Sequence, residues 1–128
     1  MNMMTKPNTP VTFQSALIVD DHPLFCDALS MTLQTVAGIS KVSTAPTLED
    51  ALQYLRDHSV PDVIVLDLNL PDVSGLEGVI RVHNAISAPI VVVSSMADNR
   101  VISSVMHAGA AGFVPKHSQR AVFRAAFD

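Results

Sequence analysis

Short apolar runs recur along this chain, and two of them end in carboxylates. Ala16-Leu17-Ile18-Val19 leads into Asp20-Asp21, and Val63-Ile64-Val65-Leu66 leads into Asp67. Further runs at Ile39 to Ser43, Ile90 to Val93 and Gly112-Phe113-Val114 bring the set to five. The stretches between them carry apolar residues at helical spacing. Strands alternating with helices build a parallel sheet covered on both faces, because right-handed crossovers return each strand in the same direction. Runs without a polar interruption suit strands buried on both sides. The expected fold class is therefore a doubly wound α/β domain.

The helical stretches can be bounded from their end signals. The first takes Asp21 or His22 as its cap and has Pro23 in its first turn, where a missing N–H costs little. Its apolar face reads Leu24, Phe25, Ala28, Leu29, Leu33 and Val36, with Gly38 as the stop. Thr47 caps the second, whose stripe is Leu48, Ala51, Leu52 and Leu55; Asp50 three residues on gives a near match to a capping box, and Pro61 closes the segment. The third begins near Gly75 with Leu76, Val79, Ile80, His83 and Ile86 on one side. Asp98 caps the fourth, which turns Val101, Ile102, Val105 and Met106 inward and stops at Gly109. Ser118 caps a fifth helix carrying Ala121, Val122, Ala125 and Ala126. Residues 1–14, rich in Pro, Thr and Asn, read as a flexible leader before one domain over 15–128. An ending at Asp128, at or inside that last helix, suggests that further sequence normally follows.

Composition removes several function classes. With 8 basic against 12 acidic residues and a net charge of −4, the chain lacks the clustered cations of a nucleic-acid surface. Cys26 is the single cysteine, so no disulfide forms within the chain and a reducing compartment fits. No apolar run has the length of a membrane span, and Met1 to Gln14 has no signal-peptide core. A cytoplasmic protein is expected. His22, His58, His83, His107 and His117 show no close ligand pattern on one helix face; His22 lies near the acids and could modulate them electrostatically.

In a doubly wound sheet all strand C-termini meet at one edge, and ligands bind in the crevice outside it. Asp20, Asp21, Asp67, Ser94 and Lys116 all fall at or just past those ends. Carboxylates gathered so closely raise each other's pKa unless a cation sits among them. A hard cation among carboxylates reads as a Mg²⁺ site that handles phosphate.

From about Ser15 to Phe127 the chain resembles the receiver domain of bacterial two-component response regulators. The resemblance rests on Ile18-Val19-Asp20-Asp21, Val65-Leu66-Asp67-Leu68-Asn69-Leu70-Pro71, Gly75, Ser94 and Gly112-Phe113-Val114-Pro115-Lys116, in that order and spacing. The second and last of these look most like the subfamily whose receivers precede a helix-turn-helix DNA-binding domain, which this chain does not include. The resemblance implies a flavodoxin-like sheet of order 2-1-3-4-5 with five flanking helices. It implies Asp67 as the phosphoacceptor, and Mg²⁺ held by Asp20, Asp21, Asp67 and the backbone carbonyl of Asn69, with Asp21 nearer the ion than Asp20. Lys116 would pair with a phosphoryl oxygen. Ser94 would hydrogen-bond the phosphoryl group; Ser95 competes, and the family's hydroxyl-to-lysine interval selects Ser94. Phe113 takes the aromatic switch position, and Asn69 and Met96 take positions that tune phosphoryl lifetime. His117 stands where many receivers carry proline.

The implied function is a signalling switch and not a turnover enzyme. A sensor histidine kinase would donate the phosphoryl group, and output would pass through the surface of helix 4, strand 5 and helix 5, or through helices 1 and 5, commonly as a homodimer on phosphorylation, with DNA contacted only through a further domain. Two other readings compete. A pseudo-receiver would keep the fold and act only as a protein-interaction module. A haloacid-dehalogenase-type phosphatase would also place a nucleophilic Asp after a buried strand, but Asp67-Leu68-Asn69 lacks its second Asp. No Gly-rich turn follows the first strand, which disfavours a dinucleotide-binding domain.

Overall fold

The structure is a computed structural model and describes residues 13–96 and 98–116. Its elements run β1 (Ser15–Val19), α1 (Pro23–Thr35), β2 (Lys41–Ala45), α2 (Leu48–Asp57), β3 (Val63–Asp67), α3 (Glu77–Ala85), β4 (Ile90–Ser94), α4 (Asn99–His107) and β5 (Gly112–Pro115). The five strands form one parallel sheet in the order β2-β1-β3-β4-β5. Doubly wound topology and strand order thus match the expectation. The expected fifth helix, His117 and residues 1–12 of the leader lie outside the described residues.

The sheet is covered on both faces, and the alternation of side chains decides which residue goes where. Leu17, Val19, Ile64, Leu66 and Val92 face one core with Leu48 and Ala51 of α2, Val79 and Val82 of α3, and Val105 of α4. Ala16, Ile18, Val63, Val65, Val91, Val93 and Val114 face the other, against Cys26, Leu29 and Leu33 of α1. Every residue of β3 and β4 is buried, which is why those segments read as unbroken apolar runs. The edge strand β2 is exposed at Lys41 and Thr44 and half-buried between them, and a lysine there discourages pairing with another chain.

Several boundaries and faces differ from expectation. The second run starts later, at Lys41. Ile39 belongs instead to the turn that closes α1, with its N–H on Leu33 C=O at 3.0 Å and its side chain fully buried. On α1 the buried stripe is Cys26, Leu29 and Leu33, while Leu24 is 85% exposed; hydrophobicity alone mistook a surface leucine for a core one. His22 precedes α1 without a side-chain cap bond. Helix α3 begins at Glu77, because Gly75 has φ +52° and leaves the helical region before it. Its inward face is Gly78, Val79 and Val82, and Ile80 is exposed. On α4, Val105 is buried and Met106 exposed. The Thr47 and Asp98 caps are present, with bonds from Asp50 N–H (3.0 Å) and Val101 N–H (2.9 Å).

Gly109 follows α4 at φ +118°, and a Cβ there would lie 2.7 Å from Cγ of His83 on α3. Both backbone strain and overlap oppose any side chain. Gly109→Ala should lower stability by about 1–3 kcal/mol, read as a shift in urea midpoint at unchanged slope. Adding His83→Ala should recover the steric part and leave the backbone part. Equal midpoints for Gly109→Ala and the unsubstituted chain would disprove the clash.

Candidate functional site

The ladder hydrogen bonds continue past the strand ends and fix where the polar residues stand. Asp20 N–H donates to Ala45 C=O (3.0 Å), Leu68 N–H to Val93 C=O (3.2 Å) and Lys116 N–H to Ser94 C=O (2.9 Å). Asp20, Asp67, Ser94 and Lys116 are therefore set side by side on one edge by the sheet. Asp20 and Asp67 are each 2% exposed, and Ser94 is fully buried.

Lys116 joins the carboxylates. Its Nζ lies 2.8 Å from Asp20 Oδ2 and 3.3 Å from Asp67 Oδ2. It also stands 4.7 Å above the centre of the Phe25 ring, a cation–π contact contributed by α1. Burial alone would lower the Lys116 pKa, but Asp20 and Asp67 outweigh it and raise it above the usual lysine value. The ammonium is therefore charged at neutral pH. Burial raises the Asp67 carboxyl, and nearby Asp20 adds to that; the Asn69 N–H at 3.2 Å and Lys116 pull the other way without cancelling it. Asp20 Oδ2 is buried and has the Lys116 ammonium as its counter-charge.

His22 enters this group. Its Nδ1 is 2.7 Å from Asp20 Oδ1, 3.2 Å from Asp21 Oδ1 and 3.8 Å from Asp67 Oδ2. Together Asp20, Asp21, His22 and Asp67 present ligand atoms that all lie within 4.8 Å of one another. Carboxylate oxygens grouped this closely are a donor set that could hold a divalent cation. Outside it a cleft of about 420 Å³ is lined by Asp21, His22, Phe25, Asn69, Ser95 and Lys116.

The remaining expected residues are placed differently. Ser94 Oγ accepts the Met96 N–H at 3.0 Å, while Ser95 faces the cleft. Asn69 and Met96 line one groove with Leu68, Leu76, Arg100 and Val101. Phe113 is half-buried against the core that includes Val92 and Val105. Cys26 donates its thiol to Asp20 C=O at 3.4 Å, and burial, reinforced by Asp20, pushes it up to about 11. It is therefore a protonated, unreactive thiol at neutral pH.

Sequence reasoning treated Phe25 as core and passed over Asp72. Asp72 caps α2 from the β3–α3 loop: its Oδ1 and Oδ2 accept the N–H groups of Leu48 and Glu49, both at 2.9 Å. Burial, the largest single influence, pushes its carboxyl up, but the Leu48 and Glu49 bonds, with its own backbone N–H and Arg81, together outweigh it and hold it below the ordinary range. Neither role has a local signature, since each partner lies far off in sequence.

A family profile described as the response regulator receiver domain matches residues 16–128. Among curated proteins, the chain is 39% identical over 105 residues to a glycerol metabolism activator of Pseudomonas putida, covering 81% of this chain and 48% of that protein. It is 32% identical over 103 residues to the response regulator UvrY of Escherichia coli K12, covering 80% and 47%. The chain thus spans about half the length of the curated relatives it matches. Among solved structures, a LuxR family DNA-binding response regulator from Silicibacter pomeroyi superposes with TM-score 0.75 at 29% identity, over 90% of this chain and 87% of that one. A two-component response regulator from Clostridium difficile gives 0.79 at 22% identity, over 88% and 90%, a likeness of fold.

Two outcomes follow from the geometry. Because its raised pKa means that the fold holds the Asp67 proton more tightly than the unfolded chain does, stability is lost as pH rises through that window. Above the ordinary carboxylate range the native carboxyl is therefore a cost, so Asp67→Asn should raise the melting temperature of the ion-free protein at pH 7, with the gap closing below about pH 4, where the carboxyl is protonated in both folded and unfolded chains. A variant that melts lower at pH 7 would contradict this. Asp72→Ala should cost about 1 kcal/mol, measured by urea unfolding, with amide exchange quickening at Leu48 and Glu49.

Proposed function

The chain belongs to the response regulator receiver domain family, and on that premise we propose that it is the phosphorylation-dependent switch of a two-component system, with Asp67 as its phosphoacceptor. The observation that carries this reading is a buried strand-end carboxylate 3.3 Å from a lysine ammonium and grouped with Asp20 and Asp21. Receivers are signalling domains, and residues 15–128 are read as one, preceded by a leader over 1–14. A sensor histidine kinase presents phosphohistidine. An Asp67 oxygen attacks phosphorus in line as the P–N bond breaks, leaving an acyl phosphate on the protein and a free imidazole on the kinase. Burial supports the attack by holding water away from the carboxylate.

Asp20, Asp21, Asp67 and the Asn69 carbonyl would hold Mg²⁺, with Asp21 nearer the ion. Bound there, Mg²⁺ would neutralise the phosphoryl oxygens during transfer. Lys116 gives up a carboxylate oxygen for a phosphoryl oxygen. The Ser94 Oγ already accepts a backbone N–H, so its own proton is available to donate to the phosphoryl group, drawing the β4–α4 turn inward. Asn69 and Met96, on one groove beside Asp67, tune how readily water reaches the acyl phosphate. Phe113, paired with Val92 across the sheet, would respond to movement of that turn. Output then leaves through α4, β5 and the fifth helix, as a homodimer, toward a C-terminal DNA-binding domain that regulates transcription in the cytoplasm. A decisive switch from mostly inactive to mostly active needs the phosphoryl group to favour the active state by about 5 kcal/mol. Among the described residues no helix is long and apolar enough to cross a membrane.

Incubation with Mg²⁺ and acetyl phosphate, followed by intact mass, tests the reading. One phosphate-sized gain is expected, dependent on Mg²⁺ and absent in Asp67→Asn. No gain from acetyl phosphate or from a phosphorylated histidine kinase would overturn it and leave an interaction-only module.

A further inference from the structure

His22 was left without a task by the switch chemistry, yet its imidazole occupies the centre of the acidic cluster. We propose that His22 Nδ1 is a nitrogen ligand of the divalent cation, so that this site favours borderline transition ions such as Co²⁺ and Ni²⁺ over Mg²⁺ more strongly than its carboxylates alone would. The inference rests on the metal site of the receiver reading and goes on to name which ions that site prefers.

The distances suit a coordination shell. An octahedral ion with bonds of about 2.1 Å has neighbouring ligands about 3.0 Å apart. His22 Nδ1 is 2.7, 3.2 and 3.8 Å from the oxygens of Asp20, Asp21 and Asp67, which bracket that value. Asp20 Oδ2 is buried beside them and has the Lys116 ammonium, 2.8 Å away, as its counter-charge.

Nδ1 is also 3.1 Å from Lys116 Nζ. The backbone holds the ring at the cluster. His22 N–H donates to Asp20 Oδ1 at 2.9 Å, and its C=O accepts the Cys26 N–H at 3.0 Å. The side chain itself is 59% exposed, so it can rotate onto an ion without disturbing the core.

Imidazole suits the later first-row ions, whereas Mg²⁺ prefers oxygen and keeps its waters. The nitrogen therefore strengthens Co²⁺ and Ni²⁺ binding and adds little for Mg²⁺.

The test loads the whole chain with Mn²⁺ and records pulsed EPR. Nitrogen modulation from a directly bound imidazole is expected, and it should vanish in His22→Ala. Calorimetric titration should show Co²⁺ weakened about tenfold or more in that variant while Mg²⁺ shifts by less than about threefold. Thermal melts establish that the variant is folded, and the wild-type spectrum needs no variant at all. Absence of nitrogen modulation in Mn²⁺-loaded wild type, or an equal change in Co²⁺ and Mg²⁺ affinity, would overturn the proposal while leaving the Mg²⁺ site intact. If neither Mg²⁺ nor Co²⁺ binds wild type, the receiver-type metal site falls together with it.

Discussion

Two buried carboxylates stand next to each other at the end of a parallel sheet, and one ammonium stands between them. Ionised groups taken out of water need partners, and Lys116 is a partner to both Asp20 and Asp67. It reaches them because the hydrogen bond from its N–H to Ser94 C=O carries the β5 ladder one residue past the strand. Phe25 of α1 shields its far side. Sheet, helix and edge loop thus converge on one lysine, and anything that adds charge to Asp67 must be felt first there. One ammonium among Asp20, Asp21 and Asp67 also leaves the edge negative, which is the condition for drawing in a cation.

The two cores are built almost without reference to that edge. Leu17 and Val19 serve one face and Ala16 and Ile18 the other, so β1 is anchored from both sides up to the residue before Asp20. The same holds for β3 up to Asp67. Rigid packing below and an open cleft above let the site carry polar strain that the interior would not tolerate.

Much of this was legible in the residue order. Runs such as Val63 to Leu66 and Ile90 to Val93 announced central strands because burial on both faces erases alternation. The caps Thr47 and Asp98 were legible because a cap is local. Asp20, Asp67 and Lys116 could be gathered because parallel topology brings strand ends together whatever the intervening sequence. The errors came where tertiary packing decides. Leu24 and Cys26 both lie on α1, and only the position of the sheet determines that the cysteine faces in and the leucine out. Val82 was overlooked on α3 because the helix begins later than its glycine suggested. Phe25 under Lys116 joins residues from opposite ends of the domain, and no pattern of spacing signals such a pair. His22 was placed near the acids but not among them, since the direction of a side chain at a helix entrance is not written in its neighbours.

The cap that Asp72 supplies to α2 has a mechanical reading. Helix caps usually come from the chain just before the helix; here two of the first amides of α2 are held by a loop that enters after β3, so loop and helix share a fastening. The loop that begins beside Asp67 cannot swing freely as a hinge. A small displacement drags the first turn of α2 along, and a large one leaves Leu48 and Glu49 N–H facing water. Displacement at the carboxylate edge on the β3 side is therefore coupled to the N-terminal turn of α2.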